Sequence, residues 1–148
     1  MRRTILSVLC AQLLVPLTVF AEGDAIGRVK TISGEVFLIE NNVRKTAIIG
    51  SPVTRSDTVE TGADGAVGLT LTDNSVLSAG PNSSLSIKDY VFDSAAFKGS
   101  MRARLNRGSL VVTSGDIARG TPEAMQVETP TKILGVRGTT FLVRVGED

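Results

Sequence analysis

The chain has no histidine, no tryptophan and a single cysteine, and aromatic residues make up only 4% of it. Without histidine it has no imidazole base, which excludes a Ser–His or Cys–His nucleophile pair and a His-ligated zinc site. A single cysteine excludes an intrachain disulfide and a thiolate cluster. Hydrophobic residues make up 42%, so valine, leucine, isoleucine and alanine have to build the core. We therefore expect a protein that is not an enzyme and that holds no cofactor and no metal.

The first 21 residues are typical of a secretory signal peptide. Arg2 and Arg3 give a positive start, an apolar run covers residues 5–20, and the small Ala21 stands where signal peptidase cleaves. A glutamine and a proline interrupt the run, which is shorter than the roughly 20 residues of a membrane-spanning helix. The sequence therefore predicts cleavage after Ala21 and a protein in the periplasm or outside a bacterial cell, with no stable membrane anchor.

Removal of the signal peptide changes the charge balance. It takes away two of the 16 basic side chains and none of the 15 acidic ones, so the net charge falls from +1 to −1. A nucleic-acid-binding domain normally has a clear basic excess, so we expect no nucleic-acid partner. The remaining residues 22–148 suit one domain with its own core.

Apolar and polar residues alternate along most of residues 22–148. Val67, Leu69 and Leu71 alternate with small or polar residues, and residues 141–145 repeat the pattern near the end. Turn-forming Gly, Asn, Asp and Pro recur at intervals of roughly 8–12 residues, which is typical of all-β proteins. The sequence predicts an all-β fold, built either as two packed sheets or as a short twisted β-solenoid.

Two segments are less regular. Residues 94–107 allow a short helix, but Met101, Ala103 and Leu105 alternate with polar side chains, and we favour a strand with a cationic outer face. Residues 114–123 hold Gly, Pro and charged residues with few apolar ones. This composition predicts the longest loop of the chain, and a mobile one.

Two stretches of the chain contain recognisable motifs. Residues 57–65 read DTVETGADG, and this run resembles the D-x-V-x-T-G-x-D-G of the FecR domain family. They are followed by DNS at 73–75 and PNS at 81–83, where the family has D-G-S and P-N-S. Residues 127–141 look like its ending, V-x-T-P-x-A-x-x-G-V-R-G-T-x-F. The opening strands also suit the family, so the resemblance covers nearly all of residues 22–148.

The chain departs from the family pattern at two positions. Asn74 replaces the usual glycine of D-G-S, and asparagine also tolerates the positive φ of such a turn. Lys132 stands where a small residue is usual, so we expect its side chain to snorkel or point outward. We also expect the chain to lack the cytoplasmic segment and the additional C-terminal domain of the well-known FecR-type transmembrane regulators. We therefore do not expect an anti-sigma role.

Most residues of these motifs are expected to shape the backbone. Closely spaced glycines serve turns, aspartates beside turns accept hydrogen bonds from nearby amides, and proline ends a sheet ladder. A calcium site is the alternative for the aspartates, but no calcium-loop spacing is present. The residues given this structural role are Gly62, Asp64, Gly65, Asp73, Asn74, Thr129, Pro130, Gly135, Gly138 and Thr139.

Five basic residues are candidates for contact with a partner: Lys98, Arg102, Arg104, Arg107 and Arg137. The guanidinium of Arg137 offers a planar fork to a carboxylate or phosphate, although a turn-stabilising role is the favoured interpretation. The other four suit contact with anionic lipid, polysaccharide or protein. The simpler interpretation is the solvated outer face of a strand, whose charges discourage edge-to-edge pairing.

The resemblance implies a non-catalytic interaction module in cell-envelope signalling or assembly. In this hypothesis a rigid β scaffold presents loops and an edge strand to an unidentified envelope protein, by strand addition. The first alternative is a carbohydrate- or envelope-polymer-binding module, which the shortage of aromatics disfavours. The second is a small secreted hydrolase with two carboxylates facing each other across a groove.

Overall fold

The computed structural model describes residues 24–136 and 139–146. The predicted signal peptide, Arg137 and Gly138 lie outside these residues and stay predictions. The described residues form twelve strands and one short helix, so the prediction of an all-β fold is confirmed. The strands are β1 (Gly27–Ser33), β2 (Val36–Glu40), β3 (Val43–Thr46), β4 (Pro52–Val53), β5 (Thr58–Thr61), β6 (Ala66–Leu71), β7 (Val76–Ala79), β8 (Ser84–Asp93), β9 (Lys98–Thr113), β10 (Met125–Glu128), β11 (Ile133–Gly135) and β12 (Thr140–Val145), and the helix α1 is Asp116–Gly120.

The strands belong to one continuous sheet that curls upon itself. The long strand β9 is shared by two halves: its first part pairs with β8 and β10, and its second part pairs with β7 and β12. One half runs β3-β2-β5-β8-β9-β10-β11, and the other runs β4-β1-β6-β7-β9-β12. Because β9 continues from one half into the other, the result is a mainly antiparallel half-barrel. The prediction is confirmed at the level of an all-β fold, and the observed form is this half-barrel, whose two halves face each other across the core.

β9 passes from one half of the sheet to the other at Gly108. The backbone there has a φ of +90°, a conformation that glycine adopts without the penalty that a side chain would bring. On one side of β9, β8 pairs with residues up to Arg107 and β7 pairs from Leu110 onward. On the other side of β9, β10 pairs with residues up to Arg104 and β12 pairs from Gly108 onward. Both sides of the strand are therefore interrupted at this corner.

A single cluster of buried apolar side chains fills the space between the two halves. Val29, Leu69 and Leu77 come from one half and Leu85 and Leu105 from the other, and all five are fully buried. Successive side chains of a strand point to opposite faces, so each half has one apolar face. Curling the sheet removes both apolar faces from water, which is the main driving force for this shape.

The two irregular segments have different outcomes. Residues 98–107 belong to β9, so the strand interpretation is confirmed there, and residues 94–97 form the turn of the β8–β9 hairpin. The loop predicted over residues 114–123 is wrong in part, because α1 and a 3-10 turn over Pro122–Ala124 occupy much of it and Ile117 is fully buried. A helix of five residues is too short to show a periodic pattern. No helix in the described part of the chain is long and apolar enough to cross a membrane.

Candidate functional site

Two turns from distant parts of the chain meet at the corner of β9. We call the two turns and this corner the turn cluster, which consists of residues 61–65, 80–83 and 107–109. The Thr61 hydroxyl donates to the Gly80 carbonyl at 2.6 Å and accepts the N–H of Ser83 at 2.9 Å. The Ser83 hydroxyl in turn accepts the N–H of Ser109 at 3.0 Å. A Cβ added at Gly108 would lie 2.1 Å from Ser83 Oγ, so this contact leaves no room for a side chain.

The turn between β1 and β2 packs on the same cluster. The N–H of Gly62 donates to the Glu35 carbonyl at 2.9 Å, and a Cβ added at Gly65 would lie 2.3 Å from that same oxygen. The Asp64 carboxylate accepts the N–H of Glu35 at 3.4 Å. Gly62 and Gly65 have no side chain and Asp64 accepts a hydrogen bond from Glu35. The turn at residues 62–65 and the turn between β1 and β2 therefore approach each other closely.

The second motif turn surrounds a carboxylate that is fully buried. Asp73 is 0% exposed and accepts bonds from the hydroxyl of Ser75 at 2.6 Å and from the hydroxyl of Tyr90 at 3.1 Å. The N–H groups of Ser75 and Ile117 approach the same carboxylate at 3.2 and 3.4 Å. Hydrogen bonds to a buried charge offset the cost of removing it from water. We call these residues the Asp73 network.

The Asp73 network also fixes the start of α1. The N–H of Gly115 donates to Ser75 Oγ at 3.0 Å, and a Cβ at Gly115 would lie 2.1 Å from the Asp73 carbonyl oxygen. Asn74 has a φ of +64° and donates through its side-chain amide to Asp116 at 2.9 Å. Asparagine therefore meets the positive φ of the D-G-S turn and adds a contact to α1 that glycine would lack.

Tyr90 lies in the middle of this network. Its hydroxyl accepts the N–H of Asp73 at 2.9 Å and shares a hydrogen bond with the Thr72 hydroxyl at 2.8 Å. Burial, together with the neighbouring Asp73 carboxylate, raises the pKa of Tyr90 to about 12. The phenol therefore stays protonated across the physiological pH range and acts as a structural hydrogen-bonding group.

Metal coordination finds no support in residues 24–136 and 139–146. No group of three or more Asp, Glu, His or Cys side chains there is arranged to hold a metal ion. The two turn aspartates, Asp64 and Asp73, accept hydrogen bonds from backbone amides and hydroxyls. Their chemistry in this fold is that of turn stabilisation.

The predicted basic stretch lies along β9, and cross-strand carboxylates take up part of its charge. Its described members are Lys98, Arg102, Arg104 and Arg107. Arg102 lies 3.3 Å from the Asp89 carboxylate and 3.4 Å from that of Glu128. Arg107 lies 3.7 Å from the carboxylate of Glu60. The structure brings these side chains onto one strand, and their role in partner binding stays a prediction.

The residues of the last motif close a turn and begin the final strand. The N–H of Thr129 donates to the Lys132 carbonyl at 2.8 Å, and the N–H of Lys132 donates to Thr129 Oγ1 at 3.0 Å. Pro130 lies in this turn between β10 and β11, and the side chain of Lys132 is exposed. No atom lies within 4 Å of a Cβ added at Gly135, so packing does not require glycine there. The carbonyl of Thr139 accepts a hydrogen bond from the backbone N–H of Ser114, the residue that follows β9.

The open side of the β9 corner forms a groove of about 890 Å³. Its floor contains Asn106 and Arg107, one wall is the turn between β10 and β11, and the other wall is β12. We call it the β12 groove, and its lining residues are Asn106, Arg107, residues 129–132, Leu134 and residues 142–146. Its lining combines polar and basic side chains with two leucines, Leu134 and Leu142.

The wall of the groove is the edge of β12 and not one of its faces. Val143 points into the core and is buried, whereas Leu142 and Arg144 point outward, yet all three line the groove. Side chains from both faces of a strand meet only along its edge. Among the described residues, β12 pairs with β9 alone and β11 with β10 alone, so both strands have an edge without a neighbouring strand.

Leu134 and Leu142 were not among the candidate residues from the sequence. Leu142 is 59% exposed and lies between two polar neighbours on the outward side of β12. An apolar residue on the polar side of an alternating strand is the signal that indicates such a position. Leu134 gave no comparable signal, because its place in the groove depends on how β11 pairs with β10.

A second, smaller depression of about 300 Å³ contains two carboxylates. Asp89 and Glu123 both line it, together with Arg102. Asp89 pairs with Arg102 across two neighbouring strands. A carboxylate-based hydrolase hypothesis can be tested at this depression.

Comparison with known proteins gives one family. The family described as "FecR protein" matches residues 57–148, which make up more than half of the chain. The match starts at Asp57, the first residue of the turn motif, and covers β5 to β12, so the resemblance of the preceding strands to the family stays a prediction. No curated protein and no solved structure matches the chain significantly. The FecR domain is associated with envelope signalling and its family is generally non-enzymatic. The chain belongs to the FecR protein family.

Proposed function

We propose that this chain is a non-catalytic module of bacterial envelope signalling or assembly, exported by a cleavable signal peptide, which acts by binding an envelope protein. The observation that carries the proposal is the use of the family's motifs. Thr61, Gly65 and Asp73 all hold the backbone through buried contacts. Residues engaged in this way build a rigid scaffold, and binding is left to the strand edges.

Exposed apolar side chains on those edges support a binding role. Ile133 on β11 is 66% exposed and Leu142 on β12 is 59% exposed. Strand edges of soluble proteins are usually blunted by charge or covered, because a bare edge invites another strand. An edge with exposed leucine or isoleucine suits β-strand addition by a partner.

Export is tested by N-terminal sequencing of the protein recovered from the cell envelope or the medium. We expect the mature chain to begin at Glu22, since signal peptidase cleaves after a small residue such as Ala21. Recovery of the chain with its first residue still Met1, from the cytoplasm only, would contradict the proposal.

Partner binding is tested by photo-crosslinking in intact cells. A photoreactive amino acid is placed at Leu142 on β12, at Arg102 on β9 and at Thr46 on β3, all of which are exposed. We expect one envelope protein to be captured reproducibly from at least one position and to be lost when the cells are lysed and diluted before irradiation. Failure at all three positions would overturn the proposal.

The non-catalytic part of the proposal is tested at the two carboxylates of the smaller depression. The purified protein is incubated with envelope glycans, alongside the variants Asp89→Asn and Glu123→Gln. We expect no hydrolysis by any of the three. Turnover by the parent protein that disappears in either variant would favour the hydrolase and contradict a purely binding role.

A further inference from the structure

We propose that the β12 groove binds an extended acidic segment of the partner, which adds to the sheet along the free edge of β12. This inference rests on the proposed function and names the chemistry of the partner. Three features of the described residues point to it: the charge of the groove, the strand edge that forms its wall, and the leucines beside that edge.

The charge of the groove favours an acidic occupant. Arg107, Lys132 and Arg144 line it, and none of its described lining residues is Asp or Glu. Arg107 itself lies 3.7 Å from the Glu60 carboxylate, and Arg102, elsewhere on β9, lies between the carboxylates of Asp89 and Glu128. Complementary charge speeds association and rejects partners of the wrong sign. Lys132 and Arg144 therefore give the groove the positive charge that an acidic segment complements.

The shape of the wall favours an extended occupant. Leu105 and Arg107 of β9 pair with β8 on one side, whereas on the other side the pairing with β10 ends at Arg104 and the pairing with β12 starts at Gly108. The groove lies over this gap and follows the edge of β12 along residues 142–146. An incoming strand can pair with backbone N–H and C=O groups along such an edge.

The two leucines supply contacts for alternate side chains of that strand. Leu142 is 59% exposed and Leu134 is 36% exposed, and both line the groove. Side chains of an added strand point alternately to either face. One set would cover the leucines, while the other set would bring carboxylates to Lys132 and Arg144. The occupant is thus a segment in which acidic and apolar residues alternate.

A second copy of this chain fits the groove less well than an acidic partner. In a two-fold symmetric pairing, each β12 edge would face the same edge of the other copy. Arg144 and Lys132 of one copy would then approach the same cations of the other, which is unfavourable. Charge therefore argues for a different chain as the occupant.

The test uses a fluorescent peptide that alternates glutamate and valine, and a matched peptide that alternates lysine and valine. We expect the acidic peptide to bind at least about tenfold more tightly, and its affinity to fall as salt is raised. The double variant Lys132→Glu/Arg144→Glu is expected to lower the affinity for the acidic peptide at least about tenfold. A matched control, Lys30→Glu/Lys88→Glu, makes the same change in net charge at exposed positions outside the groove and is expected to change affinity by less than about twofold.

Strand addition is tested separately from charge. The acidic peptide is made in two versions, each N-methylated on one of the two alternate sets of residues. We expect one version to lose most of its binding, because the amides of one set have to pair with β12, and the other to keep it. Equal binding by both versions, or equal loss in the control and groove variants, would overturn the inference. So would equally tight binding of an anionic polysaccharide, or a stable dimer that the groove variant dissociates.

Failure of this inference is distinguishable from failure of the proposed function. If the envelope protein is captured only from Arg102 or Thr46 and the acidic peptide does not bind, the β12 groove is not the site, although the chain is still a binding module. If no position captures a partner, the proposed function fails as well. Circular dichroism of the groove and control variants, expected to match the parent, excludes unfolding as the cause of lost binding.

Discussion

The two sides of the β9 corner are built in opposite ways. On the β7–β8 side, Ser83 fills the gap beside Gly108, and its hydroxyl accepts a 3.0 Å hydrogen bond from the N–H of Ser109. On the β10–β12 side the equivalent gap is open and forms a groove of about 890 Å³. The same interruption of a strand is thus closed by a motif on one side and left accessible on the other.

The contacts made on the two sides differ in kind. On the closed side, Thr61, Ser83 and Ser109 form hydrogen bonds within the fold. On the open side, Lys132, Arg144 and Leu142 are exposed. We therefore expect substitutions on the closed side to cost stability, and substitutions on the open side to cost binding.

The largest loss of stability is expected from Gly108→Ala. The new Cβ would lie 2.1 Å from Ser83 Oγ and 2.5 Å from Ser83 Cα, at a φ of +90°. We expect the free energy of unfolding to fall by about 4 kcal/mol, measured by chemical denaturation. Gly50→Ala is the matched control, because Gly50 has a φ of +92° with no atom within 4 Å, and it should cost about 1 kcal/mol. Equal losses would show that the contact with Ser83 is unimportant.

Asp73→Ala is expected to have the next largest effect. It leaves the buried hydroxyls of Ser75 and Tyr90 without their acceptor, and we expect a loss of about 3 kcal/mol. Asp89→Ala removes an exposed ion pair with Arg102 and is expected to cost less than about 1 kcal/mol. The comparison of the two denaturation midpoints separates a buried carboxylate from an exposed one. A loss at Asp73 no larger than that at Asp89 would contradict the assigned role of the network.

The Asp73 network is also expected to respond to alkaline pH, through Tyr90. Its pKa is raised from 10.0 to about 12 in the folded chain, so the protonated phenol is favoured by folding. The resulting stability is fully present below pH 10 and is lost as the pH rises from 10 towards 12. Tyr90 is the only tyrosine and the chain has no tryptophan, so the ultraviolet absorbance of tyrosinate reports this group alone.

We expect the absorbance titration of the folded protein to have its midpoint well above that of the denatured protein. Tyr90→Phe should remove this component of the pH dependence and lower stability at neutral pH by about 1–2 kcal/mol, since Asp73 loses a donor. A titration midpoint near 10 in the folded protein would show that the phenol is accessible to water.

The smallest effect is expected on the open side, at Leu142. This side chain is 59% exposed, and we expect Leu142→Ala to change the free energy of unfolding by less than about 0.5 kcal/mol. The neighbouring Val143 is 5% exposed, and Val143→Ala should cost about 2 kcal/mol. Both are measured by denaturation. If Leu142→Ala lowered the free energy of unfolding as much as Val143→Ala, the edge of β12 would be packed against the protein and the groove would not be open.

Local features of the fold were predictable where each residue's own neighbours decide its structure. The alternation of Val67, Leu69 and Leu71 predicted a strand, and these three side chains are buried in β6. Asn74 was expected to tolerate a positive φ, and its φ is +64°. Both follow from the alternation of a pleated strand and from the steric freedom of asparagine in a turn.

Features that depend on contacts between distant residues were missed. The helix α1 was not predicted, because its anchor Ile117 is buried by packing on the sheet and by a hydrogen bond to Asp73. The part played by Tyr90 was not predicted either, although it is the only tyrosine of the chain. Its hydroxyl meets Asp73 only after β8 has paired along β9. No local sequence pattern contains that information.

The sequence by itself determined the class of fold, the places of most turns and the family. These depend on period-two alternation and on residues such as glycine and asparagine, whose backbone preferences act over a few neighbours. The tertiary structure alone decided that one long strand would join two halves of a curled sheet. It also decided which side of Gly108 would be filled by Ser83 and which would stay open. The reason is physical: the pairing of strands far apart in the chain is set by burying both apolar faces at once, and only that pairing fixes which edges remain free.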